Sequence, residues 1–501
     1  SAETAVITNI SAGSVAITMG AGSSHFSAVT IDAGGFTFDS TASTFEAVHT
    51  LDVISASGTV SISLGGNDGV AVSSLVVASA GASITKGSSG SSDVTFAIGI
   101  TADGAITVNG GGSGTLSVST IGTAGGFTFN GEAMGAGGAS YFSANTIAAT
   151  SGDVTFQFGS GNHGFVDVSA IDTVSAFTLV GASLNSADIA IVHLSATQGV
   201  SFSNMGGASG SAVIAAIDTD GVFTFNAGAS NNLALNVETL SASAVSIVLG
   251  AQAASTHDSD ISSTQVDTFT LDGTNFAGNF NMEGISASGI TITMGQSASA
   301  LTISAVNAAE TFSLTSNGGG PLSAEITNLS VNGTFTISST EDSGGSLTIG
   351  SLNFSASGTV TGSGGSDDVA ASATGVAAGQ EVTFTFDMRD DDQADVLKYT
   401  HSTAGKEVVK ILNFKTGSDS ISAAIIGSGV LNATAIGTTT AAAILTDALG
   451  TTIEASNLTA ASTAGGTMTA IFTNNSNSEV YFIGATAGNA LNSTFDNGEV
   501  V

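Results

Sequence analysis

Apolar residues recur along this chain with two spacings at once. Over four to six residues they alternate with small polar ones, as in Phe36-Thr-Phe38, Val60-Ser-Ile62 and Ile290-Thr-Ile292. That is the period-two side-chain pattern of a strand, and Val, Ile, Thr and Phe are the residues that suit a pleated surface. Over a longer span, an aliphatic residue is followed by a few small residues, a Gly or its substitute, and then the next alternating run. Ile54-Ser-Ala-Ser-Gly58-Thr-Val-Ser-Ile62 and Ile285-Ser-Ala-Ser-Gly289-Ile-Thr-Ile292 are clear copies.

Lining up the leading aliphatic gives Ile10, Ile31, Ile54, Val77, Ile100, Ile121, Ile147, Ile171, Leu194, Ile217, Leu240, Val266, Ile285, Val306, Leu329 and Leu352. That makes about sixteen copies of roughly 23 residues, the signature of a repeat architecture. Each copy holds two or three short strands with Gly, Ser and Asn at the connections, where turns need φ > 0 or local side-chain hydrogen bonds. The expected fold is all-β: a parallel β-solenoid over residues 1–362, with a mostly-β domain over 363–501. A string of antiparallel β-sandwiches is the rival arrangement; a regular repeat with no larger module boundary favours stacking.

The boundary is read from Gly362-Ser-Gly-Gly-Ser-Asp-Asp368 and from the cations, because Arg389, Lys398, Lys406, Lys410 and Lys415 all follow it. In the C-terminal part the pattern predicts one helix near residues 440–449. It also predicts a hairpin from Met468–Thr473 and Glu479–Ile483.

Composition narrows the function. Six Lys+Arg stand against 40 Asp+Glu, a net charge of −34, and there is no Cys or Trp. A chain so poor in cations lacks the means to neutralise phosphates, which excludes nucleic acid. No apolar run approaches the roughly 20 residues of a membrane span. Residues 1–388 hold one cation, Lys86, too few for a lyase that must grip a uronate, and the scarcity of Tyr and Trp argues against a glycosidase groove. No P-loop, Cys nucleophile or G-x-S-x-G elbow is present, so the chain reads as a non-enzyme.

Acidic clusters are the candidate metal ligands, because Ca²⁺ takes six to eight oxygens from carboxylates and turn carbonyls. Asp387, Asp390, Asp391, Asp392 and Asp395 crowd into nine residues. Weaker pairs are Asp218 with Asp220, Asp258 with Asp260, and Asp367 with Asp368. Asp32, Asp172, Asp218 and Asp267 share the slot after the leading aliphatic and read as corner caps for local amides. The six His show no metal-ligand spacing and read as surface or turn residues. Flat ice-binding solenoids show an outward Thr-x-Thr in nearly every turn. The pair is occasional here, as in Thr291-Ile-Thr293, which sets that reading aside.

Two resemblances follow from these residues. Lys406-Glu-Val-Val-Lys-Ile-Leu-Asn-Phe-Lys-Thr-Gly-Ser-Asp-Ser-Ile421 resembles the C-terminal region of RTX-type exported proteins, with Asn413 in place of the usual Asp; the tandem calcium nonapeptide is missing. The whole profile is similar to the S-layer proteins of Gram-negative bacteria, which are acidic, Gly/Ser/Thr/Ala-rich, Cys-free and built of repetitive β-structure. The resemblance implies an extracellular, cell-surface protein that assembles with itself, stabilised by Ca²⁺, with a cell-surface glycan or lipopolysaccharide as further partner. A subunit of an extracellular filament, an adhesin or a biofilm-matrix protein is the alternative.

Overall fold

The structure, a computed structural model, describes residues 3–425 apart from connecting segments, those of five residues or more being 88–92, 132–138, 251–257, 317–321 and 413–418. Beyond these it describes the short strands Val430–Leu431, Ala460–Ser462, Ala470–Phe472 and Val480–Phe482. The chain is all-β, a parallel β-solenoid with about 14 turns of about 23 residues. Among the described residues there is no helix, hence none long and apolar enough to cross a membrane. The helix expected at 440–449 lies outside the described residues.

Two compact units divide the chain, Ser1–Ala253 with Ser259–Ile261, and Ala254–Asp258 with Ser262–Val501. In the first, long strands of nine to eleven residues alternate with short ones of four to six, and each pairs in parallel with its counterpart one turn on. Ser186–Ala196 and Gly199–Ser203 make one such turn. The leading aliphatics stack in register, Ile10 on Ile31, Ile54, Leu75, Ile100, Ile121, Ile147, Ile171, Leu194, Ile217 and Leu240. From Ile31 onward none is more than 1% exposed. Leu75, not Val77, occupies this column. Val77 stacks on Ala56 and Ala102 instead.

The long strands are bent. In Ser186–Ala196 the buried residues are Ala187, Ile189 and Ile191, then Leu194 and Ala196. The step from Ile191 to Leu194 is three, so Val192 and His193 both face out. The pairing omits one residue there: Ile191 pairs Ile214 and His193 pairs Ala216. Each long strand is therefore two arms meeting at a corner, and a turn has three sides. At the next corner the chain passes so close to its neighbour that a Cβ on Gly34 would collide with the Gly13 carbonyl oxygen, and one on Gly58 with that of Gly34. That is why the repeat carries Gly there.

The short strands supply the other half of the core. Phe36 and Phe38 pair with Val60 and Ile62, and further on Phe177 and Leu179 pair with Val200 and Phe202. Their rings meet one another and those of the long strands, as Phe156 packs edge to face on Phe142 of Ala139–Ala149 with centroids 5.0 Å apart and planes at 76°, a favoured aromatic geometry.

In the second unit the same scheme runs through Ile285, Val306, Leu329, Leu352 and Ala371. The residue in register before Ile285 is Thr264 rather than Val266. The ladder does not stop at the Gly362–Asp368 segment: Phe354 pairs Ala373, Val360 pairs Phe386, and Ala371 pairs Tyr399. Phe354, Phe384 and Tyr399 stack through this region with centroids 5.5 and 5.7 Å apart. The hairpin expected beyond 468 is present as Ala470–Phe472 antiparallel to Val480–Phe482.

Candidate functional site

Register, more than sequence proximity, decides which polar groups meet. Asp367, Asp395 and Asp419 each stand immediately before a six-residue strand, and the pairing of Asp368 with Val396 and of Val396 with Ser420 sets them one above another. All three are buried, at 2%, 1% and 4% exposure. Each carboxylate accepts the backbone N–H of its register partner one turn earlier: Asp367 Oδ1 from Leu347 (2.7 Å), Asp395 Oδ1 from Asp367 (2.9 Å), Asp419 Oδ1 from Asp395 (3.3 Å). Asp367 also accepts the Ser363 N–H (2.7 Å) and hydroxyl (2.6 Å). A carboxylate so donated to is a bracket between turns.

Asp368 faces out and forms an ion pair with Lys398 at 2.7 Å. Asp387 is half-buried and accepts the Arg389 N–H (3.0 Å), holding Arg389 at φ 61°, while the guanidinium donates to the Ser339 carbonyl at 2.8 Å. Asp390, Asp391 and Asp392 lie outside the described residues. Asp218 and Asp220 are exposed beside a turn of the first unit. Asp258 and Asp260 are strand residues of Asp258–Gly273. Among the described residues no group of three or more His, Cys, Asp or Glu is arranged to hold a metal ion. Of the basic residues after the boundary, Lys410 is exposed and Lys415 lies outside the described residues.

Corner capping is done by a different residue from the one expected. Asp32, Asp172 and Asp218 face outward and are exposed. The next residue in two of these turns, Thr173 or Thr219, points inward, and in a third turn Thr123 holds the same slot. Thr123 Oγ1 donates to the Gly104 carbonyl (2.7 Å) and accepts the Gly125 N–H (3.0 Å); Thr173 Oγ1 donates to Gly152 (2.8 Å). Carboxylates cap elsewhere, as where Asp39 accepts from Thr41 and Asp272 from Thr274.

Two buried groups of the first unit break the apolar pattern. His49 is fully buried, against the surface or turn position expected of it, and follows Phe26 in an inward column. Its Nδ1 accepts the Phe26 N–H (3.3 Å), and its Nε2 lies 3.6 Å from Oδ2 of the equally buried Asp68. Asp68 Oδ1 accepts from Ser43 Oγ and Ala47 N, both at 3.2 Å. Burial lowers the His49 pKa below the usual imidazole value, Asp68 opposes that, and the stacked His25 ring adds to it. Lys86 is 4% exposed, and loss of hydration pushes its pKa down to about 8 despite the pull of Asp93.

The short strands present a further array. Their outward residue is Thr or Ser in every turn from Thr37 through Ser61, Ser83, Thr107, Thr128, Thr155, Thr178, Ser201 and Thr224 to Ser246. In the second unit Thr291/Thr293, Ser313/Thr315, Thr336/Ser338 and Thr359/Thr361 are four successive hydroxyl pairs. Thr-x-Thr itself is occasional in these columns, at Thr291/Thr293 and Thr359/Thr361, as the sequence leads one to expect; the hydroxyl array becomes continuous only when Ser is counted with Thr. Searching for Thr-x-Thr misses Ser as a substitute and cannot see which runs share a face.

No family model, curated protein or solved structure matches the chain.

Proposed function

We propose that the chain is a structural, non-catalytic protein of a bacterial cell surface that assembles with copies of itself into an S-layer-type sheet. The observation that supports this best is the register itself. Turn after turn, the buried aliphatics, the Thr caps and the Asp column are spent on joining one turn to the next. The result is a stiff, repetitive body of the kind that nearest-neighbour stacking stabilises. Its surface is acidic, with Asp32, Asp172, Asp218 and Asp220 all exposed.

Copies of a chain carrying −34 repel when brought side by side. Monovalent salt screens only charges farther apart than about 8 Å at physiological strength. Facing carboxylates therefore call for a bridging ion, and Ca²⁺ tolerates the irregular oxygen sets that two acidic surfaces offer. Calcium in this reading belongs between copies. At Asp367, N–H and O–H donors already occupy the carboxylate, and at Asp368 a lysine does. A cell-surface glycan or lipopolysaccharide is the second contact of the sheet.

Electron microscopy of the purified native material tests the proposal. The expected result is a two-dimensional sheet that EGTA disperses, that added Ca²⁺ restores and that Mg²⁺ restores poorly. Fibres, or dispersed single molecules whatever the calcium concentration, would overturn it.

A further inference from the structure

The outward face of the short strands has three properties together. It is periodic: adjacent turns repeat at about 4.8 Å, and the two outward columns stand about 6.7 Å apart, twice the strand rise. It is uncharged. From Ser61 and Ser63 to Thr224 and Asn226, neither column of the first unit contains an ionisable residue, although the chain carries 40 Asp+Glu. The second column there is filled with Ser, Thr, Asn, Gln and one Val, as in Thr107-Val-Asn109 and Thr128-Phe-Asn130. It is also stiff, since a β-branched Thr holds few χ1 states and the side chains are half-buried between ladder neighbours. In the second unit, charge marks the ends of the hydroxyl pairs: Asp272 precedes Thr293 in the second column, and Asp387 follows Thr361.

The chemistry of this face narrows its partner. A protein interface draws its affinity from buried aromatic, Met or Arg anchors, and the face has none. Binding of an anionic polymer needs cations, and stacking of a sugar ring needs an exposed aromatic; both are missing from these columns. What remains is a fixed net of neutral hydroxyl and amide groups with methyls between them, at spacings close to the oxygen repeats on a prism plane of ice. Charged side chains would hold their own hydration shells and disrupt such a layer, and here they are excluded. We propose that this face binds ice by ordering water into a lattice that continues the crystal. The inference goes beyond the surface-layer reading and does not depend on it.

The test is partitioning of the full chain into slowly growing ice, with inhibition of ice recrystallisation as a second readout. The native chain is expected to enter the ice and to arrest coarsening. The triple variant Thr128→Lys, Thr155→Lys, Thr178→Lys, all on the first unit's face, should lose both effects. The variant Thr101→Lys, Thr239→Lys, Thr327→Lys adds the same charge at exposed positions off this face and should keep them. Thr128→Ser, Thr155→Ser, Thr178→Ser preserves the hydroxyls and should retain binding, with circular dichroism showing each variant folded. Exclusion of the native chain from ice, or equal binding by both lysine variants, would overturn the proposal. So would sedimentation showing that the native chain is a dimer which only the face variant makes monomeric, because the face would then be a contact between copies.

Discussion

Asp395 accepts the backbone N–H of Asp367, one turn before it, at 2.9 Å, and passes its own N–H to the carboxylate of Asp419. The relationship makes one side chain per turn the acceptor for the preceding turn at a buried corner. Asp367 is the member whose removal exposes most: its carboxylate takes the N–H of Leu347 and both donors of Ser363. A buried donor left without an acceptor costs about 1–3 kcal/mol. Asp367→Ala should therefore destabilise the second unit by on the order of 2–5 kcal/mol, read by urea unfolding. Faster hydrogen exchange at the Leu347 amide should accompany it. A change within about 0.5 kcal/mol, the usual effect of a surface substitution, would show that the column is ornamental.

The aliphatic column makes a second expectation quantitative. Ile171 is fully buried between Ile147 and Leu194 in register. Ile171→Ala should cost about 2–5 kcal/mol, from lost burial plus the cavity left behind. Val192, in the neighbouring strand but 60% exposed, should tolerate Ala within about 0.5 kcal/mol. Equal losses at the two positions would contradict the inward and outward assignment at the bend.

His49 ties stability to pH. Its folded pKa lies below the unfolded value of about 6.5, so as pH falls the unfolded chain takes up the proton first. Stability should be constant above about pH 7 and should decline as pH drops through 6.5. Protonation would also set a second N–H donor on Nδ1 against the Phe26 N–H. Melting temperatures across pH 5–8 should show the decline in the native chain. His49→Phe combined with Asp68→Asn should flatten that part of the profile, and an unaltered slope in the double variant would assign the decline to other groups.

How much of this was legible in the sequence depends on what register adds to periodicity. The Ile column stood out because the same residue type returns at nearly the same interval. Val77 and Val266 were misplaced by two residues for Leu75 and Thr264 because a period of two puts both candidates on one face. The bend between Ile191 and Leu194 was hidden, since two outward residues in a row look like a lapse in alternation. Capping went to Asp172 rather than Thr173 because Asp is the commoner turn acceptor, whereas only the inward slot reaches the corner carbonyls. Asp387 and Asp395 are close in sequence, and Asp390 to Asp392 between them lie outside the described residues. What sequence proximity does not show is that register joins Asp395 to Asp367 and Asp419, residues 28 and 24 positions away. His49 reads as a surface or turn residue because nothing local distinguishes a buried imidazole from an exposed one.

Lys86 carries the last expectation. It succeeds Leu64 in the ladder and precedes Gly110, as the Leu64 N–H to Thr85 O and Lys86 N–H to Asn109 O bonds show. The ammonium has lost most of its hydration, and Asp93 compensates only in part, which is why the pKa falls from 10.5 to about 8. A lysine with a depressed folded pKa binds its proton more tightly when unfolded. Below pH 8 both states hold the proton and the full penalty applies. Between about pH 8 and 10.5 the folded state releases it first, so stability should rise with pH across that window. One pKa unit corresponds to about 1.4 kcal/mol, so the penalty at neutral pH is on the order of 3 kcal/mol. Lys86→Met keeps the apolar stem without the charge. It should stabilise the first unit at pH 7 by up to about 3 kcal/mol and remove the rise between pH 8 and 10.5. Destabilisation by methionine at pH 7 would mean that the ammonium makes a favourable contact strong enough to outweigh its burial.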